Sequence, residues 1–525
     1  MMKKRTLAAL LSLALCCTSA AALAKTQTAH GLTIESSDGD WTFADYGMLT
    51  ITEPGSYTLS GSGKYVTVSD VKGAVTITLD SVSLINDASL SPMSILNSGK
   101  TTLVLKGSSS LAGGSRYVAA LDHGTNPLEI TCRGCGTAGH TCGEITVDGK
   151  SNYWSAAIGS GYEKSSNNLT ISGGVVNAKS SFYGAAIGGG YHGQCLGVTI
   201  TGGTVNAENT KQGAAIGSGL ATSCKNIVIT GGVINASALS GAAIGSGPSG
   251  SMNGITISGG TITAKADTGA AIGSGHNAYC QNILISGGDI SAEAELGAAI
   301  GSGGGGNMDG ITISGGDVTA KADGGAAIGG GYGGVTATYS KNTIISGGSV
   351  TAEATGFGAA IGGGGDGEAD GITISGGSVT AKAENGAAIG GGSEADGKNI
   401  TISGGSIEAG TKKNTQYRKY GDAVGAGRNG SSSNIVITPE KHRIEASVSK
   451  TGFAAMDTLE GSPFTEGSTD VTSQVSGFQF FKTIGERIGA IDMPSTGDSA
   501  SLALWTALLA LSGALLMLMK RRTAG

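Results

Sequence analysis

Three cysteines and one histidine lie close together in the first third of the chain. They follow the spacing Cys132-x2-Cys135-x4-His140-x-Cys142. Thiolate and imidazole are the ligands of tetrahedral structural zinc sites, so these four residues could hold one zinc ion. The same thiols could instead form a disulfide loop, which an oxidising compartment favours, or remain free. The sequence predicts a disulfide loop or a zinc site here and does not choose between them.

A second group of cysteines recurs at equivalent positions of an internal repeat. Cys195, Cys224 and Cys280 share this position, and Met252 and Met308 occupy it in other repeats. A column of Cys and Met is most simply a row of soft apolar side chains inside the protein. Because Cys195 and Cys224 fall on adjacent repeats, a disulfide between them is the sterically allowed alternative.

Carboxylates cluster once, in a glycine-rich stretch that contains Asp366, Glu368 and Asp370. Oxygen ligands of this kind could hold calcium, and the alternative is a solvated loop. Elsewhere the acidic residues follow the repeat, and no nucleophile–base pair stands out. The G-x-G runs lack the strand–helix setting of a phosphate-binding loop. The sequence therefore predicts no catalytic residues and only a candidate calcium site.

Aromatic residues make up only 5% of the chain, and many of them follow the short motif GAAIG. Aromatic faces beside polar groups suit sugar rings. If the repeats stack in register, these loops line one side of the molecule. The alternative is that the rings only cover the corners of the repeats. The candidate carbohydrate-binding residues are Trp154, Tyr162, Tyr183, Tyr191, His192, Tyr279, Tyr332 and Tyr339.

The elements that must position these side chains come from the repeat itself. The stretch ITISGGTITAKADTGAAIGSG, Ile255–Gly275, recurs with small changes about nine times between Leu169 and Gly427. The second glycine of each S/T-G-G recurs about every 28 or 29 residues, with one step of about 32. These glycines are Gly174, Gly203, Gly232, Gly260, Gly288, Gly316, Gly348, Gly377 and Gly405.

Each repeat has apolar residues at alternate positions on both sides of its glycine pair. In the Ile255–Gly275 repeat these are Ile255, Ile257, Ile262 and Ala264. Alternation with a period of two is typical of strands and not of helices. With GAAIG as a third short strand, the pattern predicts an all-β parallel β-helix of about 28-residue coils.

One outward-facing position alternates in charge from repeat to repeat. Like charges stacked on neighbouring strands repel each other, so the alternation favours the predicted stacking. The chain as a whole carries a formal charge of −6 and no basic patch, which argues against nucleic-acid binding. The residues at this position are Lys179, Glu208, Ser237, Lys265, Glu293, Lys321, Glu353 and Lys382.

The chain begins with the features of a secretory signal peptide. Residues 1–24 contain a basic start, an apolar run and the sequence Ala22-Leu23-Ala24 before Lys25. Residues 25–150 are strand-rich without a strict period, and we expect N-terminal coils or a cap. Residues 151–430 hold the regular repeats, and residues 431–492 lose the period, as a C-terminal cap and spacer would.

The strand-rich part resembles secreted bacterial carbohydrate-binding-domain proteins with a right-handed parallel β-helix. The resemblance rests on G-S-Y-T-L-S-G, V-T-I-T-L-D-S-V-S-L and K-T-T-L-V-L-K-G-S-S-S-L, and then on the I-S-G-G-x-V-x-A and G-A-A-I-G repeats. It covers roughly residues 50–410. It implies a right-handed fold and binding of plant-type polysaccharides, including acidic ones, with calcium in the fold. It assigns no ligand residue.

The last 33 residues, 493–525, resemble the cell-wall sorting signal of Gram-positive sortase substrates. An L-P-x-T-G-like motif, with methionine in place of leucine, precedes an apolar stretch, Ser501–Met519, and a basic tail. By this resemblance, sortase would cut after the threonine and join it to peptidoglycan. The alternative is an ordinary C-terminal membrane anchor. The motif residues are Met493, Pro494, Ser495, Thr496 and Gly497.

These features together predict a secreted, wall-anchored protein whose precursor is membrane-bound only through its C-terminal helix. We expect it to bind a polysaccharide or host glycan without catalysis. One alternative is a β-helical polysaccharide lyase or glycoside hydrolase, because such enzymes use the same fold. Another is a passive surface stalk or a protein-binding adhesin.

Overall fold

The computed structural model describes residues 24–437, except 87–89, 114–115, 136–138, 150–152, 335–337 and 413–420, and four short strands beyond them. Residues 1–23 of the predicted signal peptide and all of the predicted sorting signal lie outside the described residues. Within the described part of the chain, no helix is long and apolar enough to cross a bilayer.

The described chain is an all-β parallel solenoid of right-handed type with about 12 turns. In some regular coils one strand lies on either side of the glycine corner, as Leu169–Ile171 and Val175–Ser180 do, and in others one strand runs through the corner, as Ser251–Ala266 does. A two-residue strand of sequence Ile-Gly completes each of these coils. Consecutive coils pair in parallel and in register, so that Ile255 faces Ile283 and Ile257 faces Ile285. The predicted parallel β-helix with coils of about 28 residues is therefore confirmed.

Two sheets run along the solenoid. The longer sheet carries the strands beside the glycine corners: Lys25–Ala29, Leu32–Ser36, Gly55–Gly63, Val75–Asn86, Thr101–Lys106, Ser108–Gly113, Leu128–Thr131, Glu144–Gly149, Leu169–Ile171, Val175–Ser180, Val198–Ile200, Thr204–Asn209, Cys224–Ile229, Val233–Ala238, Ser251–Ala266, Tyr279–Ala294, Met308–Ala322, Thr338–Ile345, Ser349–Ala354, Gly367–Ala383, Gly397–Lys412, Ser432–Ile437, Ile444–Glu445, Phe453–Ala454, Thr465–Glu466 and Thr469–Asp470.

The shorter sheet carries mainly the Ile-Gly strands of the GAAIG motifs. Its strands are Trp41–Phe43, Met48–Ile51, Tyr65–Val68, Met93–Ile95, Leu121–Asp122, Ile158–Gly159, Ile187–Gly188, Ile216–Gly217, Ile244–Gly245, Ile272–Gly273, Ile300–Gly301, Ile328–Gly329, Ile361–Gly362, Ile389–Gly390 and Val424–Gly425.

The core between the sheets consists of stacked columns of identical or similar apolar residues. The isoleucine three places before each corner glycine is completely buried in every repeat, as Ile171, Ile257 and Ile402 illustrate. The alanines four places after the corner are equally enclosed, with at most 3% exposure. Burying one such isoleucine contributes about 1.5–3 kcal/mol. The predicted inward-facing positions are therefore confirmed.

The corner glycines adopt a conformation that other residues avoid. Gly260 has φ +96°, and a side chain there would meet the carbonyl oxygen of Gly232 on the preceding coil at 2.9 Å. Glycine is required for both reasons, because it tolerates positive φ and lets one backbone approach the next. This is why the sequence marks every corner with the same pair of glycines.

The N-terminal end of the solenoid is closed by antiparallel pairing. Lys25–Ala29 pairs with Leu32–Ser36, which in turn pairs antiparallel with Gly55–Gly63. Parallel stacking starts between Gly55–Gly63 and Val75–Asn86. Such a hairpin covers the edge that an open parallel stack would expose to other chains. At the other end, Ser432–Ile437 still pairs in parallel with the preceding coil, so regular pairing extends past residue 431.

Opposite charges face each other between coils, as the alternation in the sequence predicts. Ion pairs at exposed positions join Lys179 to Glu208 (3.1 Å), Lys265 to Glu293 (2.8 Å) and Lys321 to Glu353 (3.5 Å). Each exposed pair contributes only about 0–1 kcal/mol. The main consequence is that the stacked position avoids like charges on neighbouring strands.

The column of Cys and Met residues lies inside the solenoid. Cys195, Cys224, Met252, Cys280 and Met308 are all completely buried. Cys195 and Cys224 face each other on adjacent coils but remain free thiols. The alternative disulfide between them is therefore not formed, and the column acts as a row of apolar side chains.

Removing one member of an isoleucine column tests how much each coil depends on the core. We expect Ile257→Ala to lower the free energy of unfolding by about 2–5 kcal/mol, because it leaves a cavity between two coils. Chemical denaturation followed by circular dichroism measures this loss. The half-buried neighbour Thr256, whose side chain faces outward, is the control, and Thr256→Ala should cost less than about 1 kcal/mol. Equal losses in the two variants would contradict the assigned core.

Asp422 gives the last described coils a pH-dependent stability. It stands where the regular repeats have the first alanine of GAAIG, and its carboxylate accepts hydrogen bonds from the Ser432 hydroxyl (2.8 Å) and the Ala426 amide (2.9 Å). Burial raises the pKa of Asp422 from 3.8 to about 7. The folded state therefore binds more protons than the unfolded state between these two values, and stability falls as the pH rises through this window.

We expect the unfolding midpoint of the native chain to fall between pH 4 and about pH 8 relative to that of Asp422→Ala. Alanine fits this position because it occupies it in the other repeats. Thermal unfolding of the two proteins across this pH range provides the measurement. Parallel pH profiles for the native chain and the variant would show that Asp422 does not titrate in this window.

Candidate functional site

Eight rings meet on one edge of the solenoid, beside the turns that flank the shorter sheet. They come from three consecutive coils, and five of them are among the predicted carbohydrate-binding residues. We call this set the aromatic strip: Tyr117, Tyr153, Trp154, Tyr162, Phe182, Tyr183, Tyr191 and His192.

The register of the shorter sheet explains why these rings meet. Parallel pairing aligns Leu121 with Ile158 and Ile158 with Ile187. Residues four places before these strands then stack in one column, which holds Tyr117, Trp154 and Tyr183. Residues four places after Ile158 and Ile187 form a second column, which holds Tyr162 and Tyr191. The GAAIG turns thus carry the rings to one edge of the molecule.

Neighbouring rings of the strip are in contact. The ring centroids of Tyr117 and Trp154 are 5.2 Å apart, those of Trp154 and Tyr162 are 5.3 Å apart, and those of Tyr162 and Tyr191 are 5.8 Å apart. Tyr153 stacks on Phe182 with centroids 3.9 Å apart. Contacts at these distances are favourable for aromatic pairs, so the rings support one another as a continuous surface.

The strip is open to solvent and has polar groups at its margins. Tyr117 and Tyr153 remain 53% and 41% exposed, which is high for large rings. The guanidinium of Arg116 lies 5.3 Å from the centre of the Tyr153 ring. A hydrogen bond with Glu163 raises the pKa of Tyr162 above its usual value. An exposed surface of rings, hydroxyls and one cation suits a flat, hydroxyl-rich ligand.

The other three predicted aromatic residues lie apart from the strip. Tyr332 occupies the same column as Tyr191, but it lies five coils farther on, where it contacts Phe357 (6.1 Å). Tyr279 and Tyr339 lie on strands of the longer sheet. The Tyr279 hydroxyl accepts a hydrogen bond from Gln281 and contacts the Asp309 carboxylate (3.4 Å). The eight predicted residues therefore do not form a single surface.

The three predicted calcium ligands are placed apart, each with its own surroundings. Glu368 pairs with Lys398 (3.2 Å), and Asp370 accepts a hydrogen bond from Asn399 (2.6 Å). Burial, and then the nearby charge of Glu394, raise the pKa of Asp366. The structure does not bring these carboxylates together as a shared ligand set, because each is directed to a different group.

The Cys132–Cys142 stretch does converge. Cys135 and Cys142 form a disulfide, and their Cα atoms are 6.1 Å apart. The Cys132 sulfur lies 3.1 Å from Nε2 of His140. Among the described residues, Cys132, His140 and Cys142 are the only group of three or more His, Cys, Asp or Glu placed to share a metal ion, with ligand atoms within 4.8 Å of one another.

The buried histidine of the solenoid has a structural role. His123 is enclosed, with Nδ1 3.0 Å from the Asn126 carbonyl and Nε2 3.3 Å from the Ser166 hydroxyl. Burial lowers the pKa of His123 to about 4, so the ring is neutral at ordinary pH. A neutral imidazole with both nitrogens in contact with protein groups explains its position without a bound substrate.

Three members of the strip were not predicted from the sequence. Tyr153 and Phe182 are direct neighbours of Trp154 and Tyr183, so their adjacency was an available signal. Tyr117 had no such signal, because it lies before the regular repeats begin.

A shallow groove of about 530 Å³ on the longer sheet was also not predicted from the sequence. It is lined by Asn177, Asn206 and Asn235, whose amides bond to one another from coil to coil.

Comparison with known protein families supports the fold and names no ligand. A model described as "Beta helix repeat" matches the chain eight times, at residues 169–191, 198–220, 227–248, 255–276, 283–304, 311–332, 344–365 and 372–393. The matches coincide with the regular coils, so residues 169–393 of the parallel β-helix carry β-helix repeats. This fold is common to polysaccharide-processing enzymes and adhesins. No characterised protein and no solved structure matches the chain.

Proposed function

We propose that this protein is a non-catalytic surface protein that binds polysaccharide or host glycan through the aromatic strip. The observation that carries the proposal is the contact of eight rings from three coils on one exposed edge. Rings are large apolar groups that proteins normally bury, so an exposed set of them favours a ligand. Sugar rings combine apolar faces with hydroxyl groups, which matches this surface.

The open shape of the strip favours a polymer over a small sugar. Small ligands are usually held in enclosed pockets that bury most of their surface. The strip instead runs across three coils, from Tyr117 to Tyr191, and Tyr117 and Tyr153 are the most open of its tyrosines. Arg116 lies at one end, so a carboxylated polysaccharide is a suitable ligand for this surface.

Attachment to the cell wall is the second part of the proposal. The segment from Met493 to Gly497, the apolar run after it and the basic tail support it, because together they resemble a sortase sorting signal. The features of a secretory signal in residues 1–24 agree with export. A rod of stacked coils held at one end would present the aromatic strip away from the wall.

Catalysis on the same polysaccharide is the competing function. Lyases and hydrolases need clustered carboxylates, or a base beside a metal ion, next to the bound sugar. The titratable groups of the strip are its tyrosines and one histidine, and Glu163 lies beside Tyr162. This composition supports binding more than bond cleavage, and an assay for released sugar ends separates the two.

Removal of two central rings should weaken polysaccharide binding. We expect Tyr162→Ala combined with Tyr191→Ala to lower the affinity of the full chain by about tenfold or more, because tyrosines at the centre of a binding surface contribute strongly. Pull-down on a panel of neutral and acidic polysaccharides provides the measurement, with and without a calcium chelator. Binding without release of reducing or unsaturated ends supports the non-catalytic function.

Tyr279→Ala is the matched control, because it removes an equal ring from a different sheet. It should leave polysaccharide binding unchanged. If the double variant binds as the native chain does and circular dichroism shows an intact fold, the aromatic strip is not the binding surface. Loss of binding with the chelator would assign calcium a part in it.

Wall attachment should depend on Thr496, the residue that sortase would join to peptidoglycan. In cells that contain sortase, we expect Thr496→Ala to move the protein from the cell-wall fraction to the membrane fraction. Ser495→Ala changes the variable position of the same motif and should leave the wall fraction unchanged. Fractionation and immunoblotting distinguish these outcomes. Wall attachment of Thr496→Ala would show that the motif is not the sorting site.

A further inference from the structure

The stretch Cys132–Cys142 is an insertion into an otherwise regular glycine corner. Parallel pairing aligns Ile130 with Ile171 and Glu144 with Val175. The regular coil therefore passes from Ser172 to Gly174 through one residue, whereas the equivalent path here contains the eleven residues 132–142. Four of these eleven are cysteine or histidine. The insertion leaves the flanking strands in register, so the solenoid does not need it.

The inserted loop has no hydrophobic core of its own. Its sequence, CRGCGTAGHTC, contains no large apolar side chain besides its cysteines. A short loop that cannot bury apolar surface needs a covalent link or a metal ion to hold one conformation. The Cys135–Cys142 disulfide holds two of the four residues. It does not explain why Cys132 and His140 come within 3.1 Å of each other.

The surroundings of the four side chains suit a metal ion. The backbone N–H of Gly174, on the next coil, donates a hydrogen bond to the Cys135 sulfur (3.2 Å). Hydrogen bonds from outside the ligand set orient metal-bound ligands. Gly134 has φ +88°, and a side chain there would press on the His140 ring, 3.2 Å from Nδ1. Glycine at position 134 therefore leaves room for the ring, whose Nε2 lies 3.1 Å from the Cys132 sulfur.

We propose that Cys132, Cys135, His140 and Cys142 bind one zinc ion when the protein is reduced. Three thiolates and one imidazole form a closed tetrahedral set, which is typical of structural zinc sites. The ion would close the inserted loop against the corner of the next coil at Gly174. The role is structural, because all four positions would be taken by protein and none is left for a substrate.

The zinc site and the disulfide are alternative states of the same sulfur atoms. A dithiol reductant breaks the Cys135–Cys142 bond by supplying two electrons and two protons, and it becomes a disulfide itself. Zinc then displaces one proton from each of the three thiols and binds neutral His140 through Nε2. A disulfide oxidant takes two electrons from the Cys135 and Cys142 thiolates and two protons from water and becomes a dithiol, so the Cys135–Cys142 bond forms again. The loss of these two ligands releases the ion. The loop would therefore bind zinc in a redox-dependent way.

Metal content of the full chain tests this proposal directly. We expect one zinc ion per chain after reduction with a dithiol and removal of excess metal, and none in the oxidised chain. Cobalt(II) added to the reduced chain should give the absorption bands of tetrahedral thiolate coordination. If the reduced chain holds no stoichiometric zinc, or the cobalt complex lacks thiolate bands, the proposal is wrong. This spectrum needs no variant, so a folding defect cannot obscure it.

Variants then separate the metal site from the disulfide. Cys132→Ser keeps Cys135 and Cys142 able to pair but removes one ligand, so zinc affinity should fall by about tenfold or more. Cys280→Ala removes a buried cysteine from a distant coil and should leave zinc affinity unchanged. Equal zinc affinity in Cys132→Ser and the native reduced chain would overturn the four-ligand site.

Discussion

The regular coils of this molecule depend on the in-register hydrogen bonding of each coil to the next. Parallel strands about 4.8 Å apart place each residue directly over its equivalent in the preceding coil. A residue type that is favourable once is then favourable at every level, which is why isoleucine and alanine fill whole columns. A residue type that repels itself, such as lysine, must alternate with its opposite. The corner glycines repeat for the same reason.

This constraint separates the positions that build the rod from those that can carry function. Inward-facing positions and corners cannot change without disturbing two neighbouring coils. The turns beside the shorter sheet are less restricted, because their side chains point to solvent. Aromatic residues gather in those turns on three consecutive coils, with Tyr332 and Phe357 as a separate pair farther along. The inserted loop at Cys132–Cys142 leaves the strands around it in register. Departures from the repeat therefore mark the regions where we propose binding.

The described ends of the solenoid show how the constraint is relaxed. Antiparallel pairing of Lys25–Ala29 and Leu32–Ser36 ends the parallel stack, and the outermost strand of this end is only five residues long. Near the other end, Asp422 replaces an alanine of the core column, and burial shifts its pKa strongly upward. The buried carboxyl is accommodated there because the Ser432 hydroxyl and the Ala426 amide donate hydrogen bonds to it.

The sequence by itself determined the fold, the coil length, the inward-facing columns and the charge alternation. These follow from local rules, because a period of two and a glycine corner act within one coil. Only the tertiary structure decided which coil positions meet. Tyr117 joins Trp154 although the insertion at 132–142 lengthens the chain between them and hides their common register. From the sequence, Tyr279 was grouped with the other loop aromatics, and Glu368 and Asp370 were grouped as ligands of one ion. In the structure Tyr279 contacts Gln281, Glu368 pairs with Lys398, and Asp370 bonds to Asn399. Contacts between coils depend on register across insertions, and no local pattern encodes that register.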